Sequence, residues 1–413
     1  VNSNPGAHAA RIFYGWWVVA ASFAVMFVGF GSAYSFSAFI DALQHEFSAS
    51  RGSVSLVFSL AACLYFSLGV VSGPLADRWG SRRLAVAGMA VTAIGLAAAS
   101  QAGTILEVYV AYGLGVGIGV GLSYVPAIGA VQKWFVRSRG FASGMAVSGI
   151  GVGTLAVPPF ASLLIEAHGW RQAYLILGGC AAVLGIGMAL LIENDPRARA
   201  LGPDGDPPSF SGLSSGAAGI SLWPAVTSGR FVRLYIACTM CALGVFVPFV
   251  HIVPYALDRG VPSTSAVLLV GAIGVGSTAG RFFLGGIADR IGRRSALVAM
   301  FAGMAISLAV WLAAATFWYL AGFAFVFGVF YGGWVAVLPA VVMDYFGGRN
   351  VSGIIGILYT SAALGSLAGP TAAGYAFDLS QSYTLPILAS VFVNIVAATI
   401  MVRAPSVAPH PRA

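Results

Sequence analysis

The stretch GPLADRWGSRR, residues 73–83, returns later in the chain as GGIADRIGRR, residues 285–294. Each copy sets one acid before a cluster of arginines: Asp77 with Arg78, Arg82 and Arg83, then Asp289 with Arg290, Arg293 and Arg294. Asp77 and Asp289 are 212 residues apart, Pro158 and Pro370 share that offset, and Pro126 and Pro339 differ by 213. Three markers in register over such a distance indicate a duplicated unit.

Outward from the two copies the chain is apolar. Of 413 residues, 59% are hydrophobic and 8% charged, with mean hydropathy +0.89, against about 25% charged residues in an ordinary soluble domain. Apolar runs of 20 or more residues recur from Tyr14 to Val402, each able to cross a hydrocarbon core of about 30 Å as a helix. Barrel strands would instead read as alternating segments of about ten residues. The first run, YGWWVVAASFAVMFVGFGSAYSFSAFI, exceeds the apolar core of a signal peptide and reads as a retained helix. The expected fold is an all-α membrane protein of twelve transmembrane helices in two six-helix halves. Its expected segments are a tail over 1–13, the first half over 14–192, a linker over 193–229, the second half over 230–402 and a tail over 403–413. The linker contains NDPRARALGPDGDPPSFSGLSSGAAG, rich in the residues of flexible connections. Parallel halves packed about an axis along the membrane normal place a substrate site between them near the midplane.

Sorting the 21 basic residues by loop puts 17 on one side and three, Arg51, Arg171 and Arg259, on the other, with Arg281 inside a span. Cytoplasmic loops hold the excess of Lys and Arg, so both termini are expected in the cytoplasm of a cell whose plasma membrane, read as a bacterial inner membrane, holds the chain. Topology thus accounts for the net charge of +8, and nucleic acid is not an expected partner. Cys63, Cys180, Cys238 and Cys241 all lie in apolar runs and read as inert thiols, with no metal or cofactor expected.

The paired loops resemble the loop motif of the major facilitator superfamily. Within it, YGWWVV at 14–19, WFVRSRGFASGMAVSG at 134–149 and HIVPYALDRG at 251–260 resemble the monocarboxylate transporter and oxalate/formate antiporter group. The resemblance covers the chain apart from tails and linker. It implies that Asp77, Arg78, Arg82, Arg83, Asp289, Arg290, Arg293 and Arg294 form a gate holding the outward-open state; topogenic charge that anchors loops is the alternative.

Arg281, in GSTAGRFFLGG at 276–286, breaks the duplication, because its counterpart is Gly69. A guanidinium at a helix centre costs about 2.5–3.5 kcal/mol and faces a cavity or a partner. No Asp or Glu lies deep in any span, and the planar fork of Arg matches a carboxylate. A transported anion is therefore the expected partner; snorkelling toward Asp289, eight residues on, is the alternative. Tyr124 and Tyr331 stand where the resembled group places cavity tyrosines, with Tyr34, Tyr359 and Trp334 as further candidates; packing is the competing role for each.

His251, between Pro248 and Pro254, and Asp258, seven residues on, are candidate proton carriers. A packing His, and a loop ion pair of Asp258 with Arg259, are the plain alternatives. Ser277 occupies the position where animal-type monocarboxylate transporters carry an Asp, and is included among the substrate contacts. The only Lys is Lys133, in a loop, so one buried cation favours a monoanion. The sequence thus points to a proton symporter of small monocarboxylates such as lactate or pyruvate, expected to be monomeric and not an enzyme. Anion exchange of the oxalate/formate type is the alternative, and a transporter-like sensor a more distant one.

Overall fold

A computed structural model describes residues 13–135, 139–199, 201–206, 220–347 and 351–403; the side chains of Asp77, Asp289 and residues 139–140, 285–286, 343 and 351–352 lie outside the described set. Among the described residues ten helices are long and apolar enough to cross a membrane, and the bent pair Arg51–Ser67 and Gly69–Ala76 makes an eleventh span. The 49-residue run Phe141–Ala189 turns at Gly169, where φ is 81°, and supplies two spans rather than one. Twelve results.

We number them α1 (Gly15–Tyr34), α2 (Arg51–Ser67, continued by Gly69–Trp79), α3 (Ser81–Ala99), α4 (Gly115–Trp134), α5 (139–168) and α6 (170–189). The second set is α7 (Gly229–Val245, continued by Val247–Leu257), α8 (Leu268–Ile291), α9 (Arg293–Ala313), α10 (Phe317–Phe346), α11 (Val351–Ser380) and α12 (Thr384–Val402). The repeated loop shows why it recurs. α2 and α3 are joined by Gly80 at φ 90° and α8 and α9 by Gly292 at φ 88°, a backbone region open to glycine and costly to other residues. Ser50 and Ser228 accept hydrogen bonds from the backbone N–H groups of Ser53 and Phe231, capping α2 and α7.

Within the first set α1 packs on α5 and α3 on α4; within the second, α8 packs on α10 and α9 on α12. The two sets meet mainly where α2 lies along α11 and α5 along α8. Small residues allow these approaches. A methyl group on Gly374 would stand 2.7 Å from the Cα of Gly52, and one on Gly274 would stand 2.8 Å from the carbonyl oxygen of Gly151. The described part of the linker is partly ordered, with short helical turns at Pro196–Arg199 and Pro203–Gly205 and a helix at Leu222–Val226. Glu193 fixes its start: its carboxylate accepts from Arg199 at 2.7 and 2.9 Å and from Arg82 at 3.1 Å. The Arg199 guanidinium, by that bonding, holds the Glu193 carboxyl below the usual range.

Candidate functional site

Arg281 sits on α8 where that helix faces α5. Its Nη1 donates to the carbonyl oxygen of Val147 at 3.2 Å, while its Nε is buried with no partner. No carboxylate among the described residues pairs with it. It faces a cavity of about 710 Å3 whose lining reaches Gln132, Phe141, Phe282 and Pro339 toward the arginine-rich end. It also borders a chamber of about 40 Å3 walled by Phe30, Tyr34, Tyr124, Tyr331, Trp334 and Tyr359, room for a few waters. A desolvated fork with an unused N–H beside such a space can hold an anion by charge-assisted hydrogen bonds.

The chamber draws on both helix sets. Tyr34 on α1 and Tyr331 on α10 bring their hydroxyls to 3.4 Å of each other. Phe249 stacks on Tyr34 at 4.7 Å and meets Tyr331 edge-on at 5.1 Å, adding an aromatic floor. Phe30 stands edge-on to Tyr124 at 5.0 Å and to Tyr65 at 5.3 Å, and the Tyr65 hydroxyl is buried without a partner. Neither Phe30 nor Tyr65 stood out in the sequence, because an aromatic in an apolar run reads as packing. Ser277 is buried but borders neither space. Its helix face is pressed against α10, where the absence of a side chain on Gly332 lets the Ser277 backbone approach.

His251 and Asp258 stand apart from this chamber, at the opposite end of the seam. There Arg51 of α2 makes a two-pronged ion pair with Asp258 at 2.6 and 2.7 Å, so the pairing expected with Arg259 forms with Arg51 instead. Arg259 lies over the Tyr255 ring, 3.6 Å from its centroid. The backbone N–H groups of Arg51 and Gly52 donate to the two carboxylate oxygens of Asp378 at 3.0 and 2.9 Å. Arg51 Nη1 also donates to the Tyr383 hydroxyl at 3.0 Å, and its guanidinium lies 4.1 Å from the Phe377 ring centroid. His251 Nε2 is 2.8 Å from the carbonyl oxygen of Pro370 and 3.4 Å from Ser55 Oγ, and Nδ1 is 3.2 Å from the Tyr383 hydroxyl. A carbonyl only accepts, so Nε2 carries the proton and Nδ1 accepts from Tyr383.

At the arginine-rich end the Asp77 and Asp289 side chains lie outside the described residues. Arg82 donates to the carbonyl of Ile192 at 2.8 Å as well as to Glu193. Arg293 pairs with Asp344 at 2.7 Å, and Arg294 donates to the carbonyls of Met401 and Val402. Arg78, Arg83 and Arg290 are exposed.

Twelve helices in two sets of six, with a cation in the cavity between them, define a membrane transporter, and the chain belongs to the Major Facilitator Superfamily, whose model matches residues 21–297 and 234–413. It is similar to human monocarboxylate transporter 11, with 29% identity over 386 residues, covering 91% of this chain and 80% of that protein. Zebrafish monocarboxylate transporter 12-B is 29% identical, with 92% and 85% covered, and mouse monocarboxylate transporter 4 is 28% identical, with 90% and 78% covered. Among solved structures, a bacterial homolog of the human lysosomal transporter Spinster, in an inward-facing and unoccupied conformation, superposes with a TM-score of 0.71 at 14% identity, covering 98% of both chains. That likeness speaks for the fold.

Proposed function

We propose that the chain carries a small monocarboxylate, lactate- or pyruvate-like, together with a proton by alternating access. The observation that carries this is Arg281, a guanidinium at the cavity wall with one unpartnered buried N–H and no carboxylate partner among the described residues. In this reading the cargo carboxylate completes Arg281, and Tyr124, Tyr331, Tyr34, Tyr359 and Trp334 pack or hydrogen-bond its short body. The arginine-rich end faces the cytoplasm, so the cavity is the inward vestibule and the Arg51 clasp the closed outer gate. Asp77, Asp289 and their arginines belong to the inner gate.

The proton loads at His251 or Asp258. A second proton on His251 would turn Nδ1 from acceptor to donor and place a second positive charge against the Tyr383 hydroxyl that already receives Arg51 Nη1, so the two cations would repel across it. A proton on Asp258 would remove the charge that holds Arg51. Either event loosens the outer closure and ties proton arrival to opening.

Anion exchange is the second reading, favoured by the same lone cation: an empty carrier must reorient Arg281 uncompensated, whereas an exchanger never travels empty. The test is uptake of labelled lactate into proteoliposomes. Accumulation driven by an imposed inward pH gradient, and lost in Arg281→Ala, is the expected result. Uptake that ignores the gradient and requires internal anion would establish exchange, and failure to move any monocarboxylate in either format would overturn the proposal.

A further inference from the structure

Away from the central cavity, α9 and α12 leave a trough between them on the surface facing lipid. It encloses about 500 Å3 and is lined by Val298, Ala302, Ile306, Ala309, Ile395 and Val402 among others. Alanines on both helices hollow its floor, while Ile306 and Val402, 66% and 57% exposed, form its rims. From Val298 to Ala309 the trough runs about 16 Å at a rise of about 1.5 Å per residue. Half of a hydrocarbon core is about 15 Å. Along α12 it runs from Val402, at the arginine-rich end, to Val391, near the middle of that helix, and along α9 it continues past the middle to Ala309, so it opens over the whole leaflet at the arginine-rich end and crosses the midplane.

Two guanidiniums stand at its mouth. Arg294 donates Nε to the Met401 carbonyl at 3.1 Å and Nη2 to that of Val402, leaving Nη1 unused. Arg403 follows Val402 directly and is exposed. Among the described residues neither has an acidic partner, in contrast to Arg82, Arg199 and Arg293, which each hold a carboxylate. An apolar trough open over that leaflet, ending at arginines with no acidic partner among the described residues, fits a molecule with a hydrocarbon tail and an anionic head. We infer that this trough seats an acyl chain of an anionic phospholipid from the leaflet at the arginine-rich end, its phosphate lying against Arg294 and Arg403. A zwitterionic lipid fits the trough equally but carries a cation to the same arginines, so the site selects by head group.

Native mass spectrometry of the full detergent-purified chain tests this, with phosphatidylglycerol and phosphatidylcholine of identical acyl chains offered in parallel. The native chain should retain phosphatidylglycerol over phosphatidylcholine by about fivefold for each arginine engaged. Arg403→Gln, which disturbs no internal bond, should cut that preference by about fivefold while leaving phosphatidylcholine adducts unchanged. Ala309→Trp, filling the exposed far end, should lower both lipids together. Equal retention of the two lipids by the native chain, or a preference of unchanged size in Arg403→Gln, would overturn the site. Abolition of the preference by millimolar inorganic phosphate would also overturn it, since the ligand would then be a free anion.

Discussion

Along α5 and α8 the two ends of the seam behave differently. At Gly151 and Gly274 the helices touch so closely that a methyl group on Gly274 would stand 2.8 Å from the Gly151 carbonyl oxygen. Two turns toward the arginine-rich end, the side-chain position of Gly144 is 4.0 Å from the Phe282 ring, and Gly129 on α4 has nothing within 4 Å. One end uses its glycines and adds an ion pair; at the other, Gly144 is barely approached and Gly129 stands beside open space. A residue without a side chain beside open space has no packing reason in this state. The reason is supplied if those surfaces meet when the cavity closes, as the glycines of the sealed end already do.

Arg281 lies between the two ends, and its removal has the largest expected effect. Arg281→Ala should weaken transport about 10- to 100-fold, the weight of one or two hydrogen bonds to a charged group, read as initial lactate uptake in proteoliposomes. Arg281→Lys sharpens the point: unchanged affinity would show that the forked geometry is dispensable. Gly129→Leu comes next. The open space should tolerate the side chain, with thermal stability altered by less than about 1 kcal/mol, while uptake falls about tenfold or more because closure is blocked; unaltered uptake would remove the assignment of closing surface to Gly129.

Arg51→Gln should move the balance toward opening of the sealed end. Its side chain is 16% exposed and that of Asp258 34%, which places the pair between surface and buried ion pairs at about 1–2 kcal/mol, or roughly tenfold in the equilibrium. Thiol labelling of a cysteine introduced at Ser55 would report it, and unchanged labelling would show that the clasp is not what closes this end.

The smallest effect concerns Glu193, where the linker meets α3. Its folded carboxyl titrates below the usual value because Arg199 bonds its charged form. Its contribution to stability is therefore present above about pH 4.3, the ordinary glutamate value, and is lost as pH falls through the lowered folded value. Between pH 6 and pH 3, Glu193→Gln should lose less thermal stability than the native chain; an identical loss would show that the clamp has no weight.

The fold was legible because it rests on signals carried by single positions and short periods. Runs of apolar residues mark spans, and the Asp-Arg loops and prolines set the two halves in register. Arg281 was legible for the same reason, as a charge without company in an apolar run. Arg51 was not, although sorting basic residues had placed it on the sparsely charged side. Its partner Asp258 is 207 residues away, and no local pattern encodes a pairing that exists only once α2 lies beside α7 and α11. Ser277 is a different case. One turn before Arg281, it shares a helix face with it by spacing, but Gly332 draws α10 over that face.

The clasp at Arg51 has a consequence for how the sealed end lets go. One residue of the first six helices holds Asp258 at the end of α7, Asp378 in α11 and Tyr383 before α12, using its side chain for two of them and its own backbone N–H for the third. Three elements are thereby fastened at a single turn. Withdrawal of that first turn of α2 would free them together, whereas release of the Arg51 side chain alone would leave the tie to Asp378 in place.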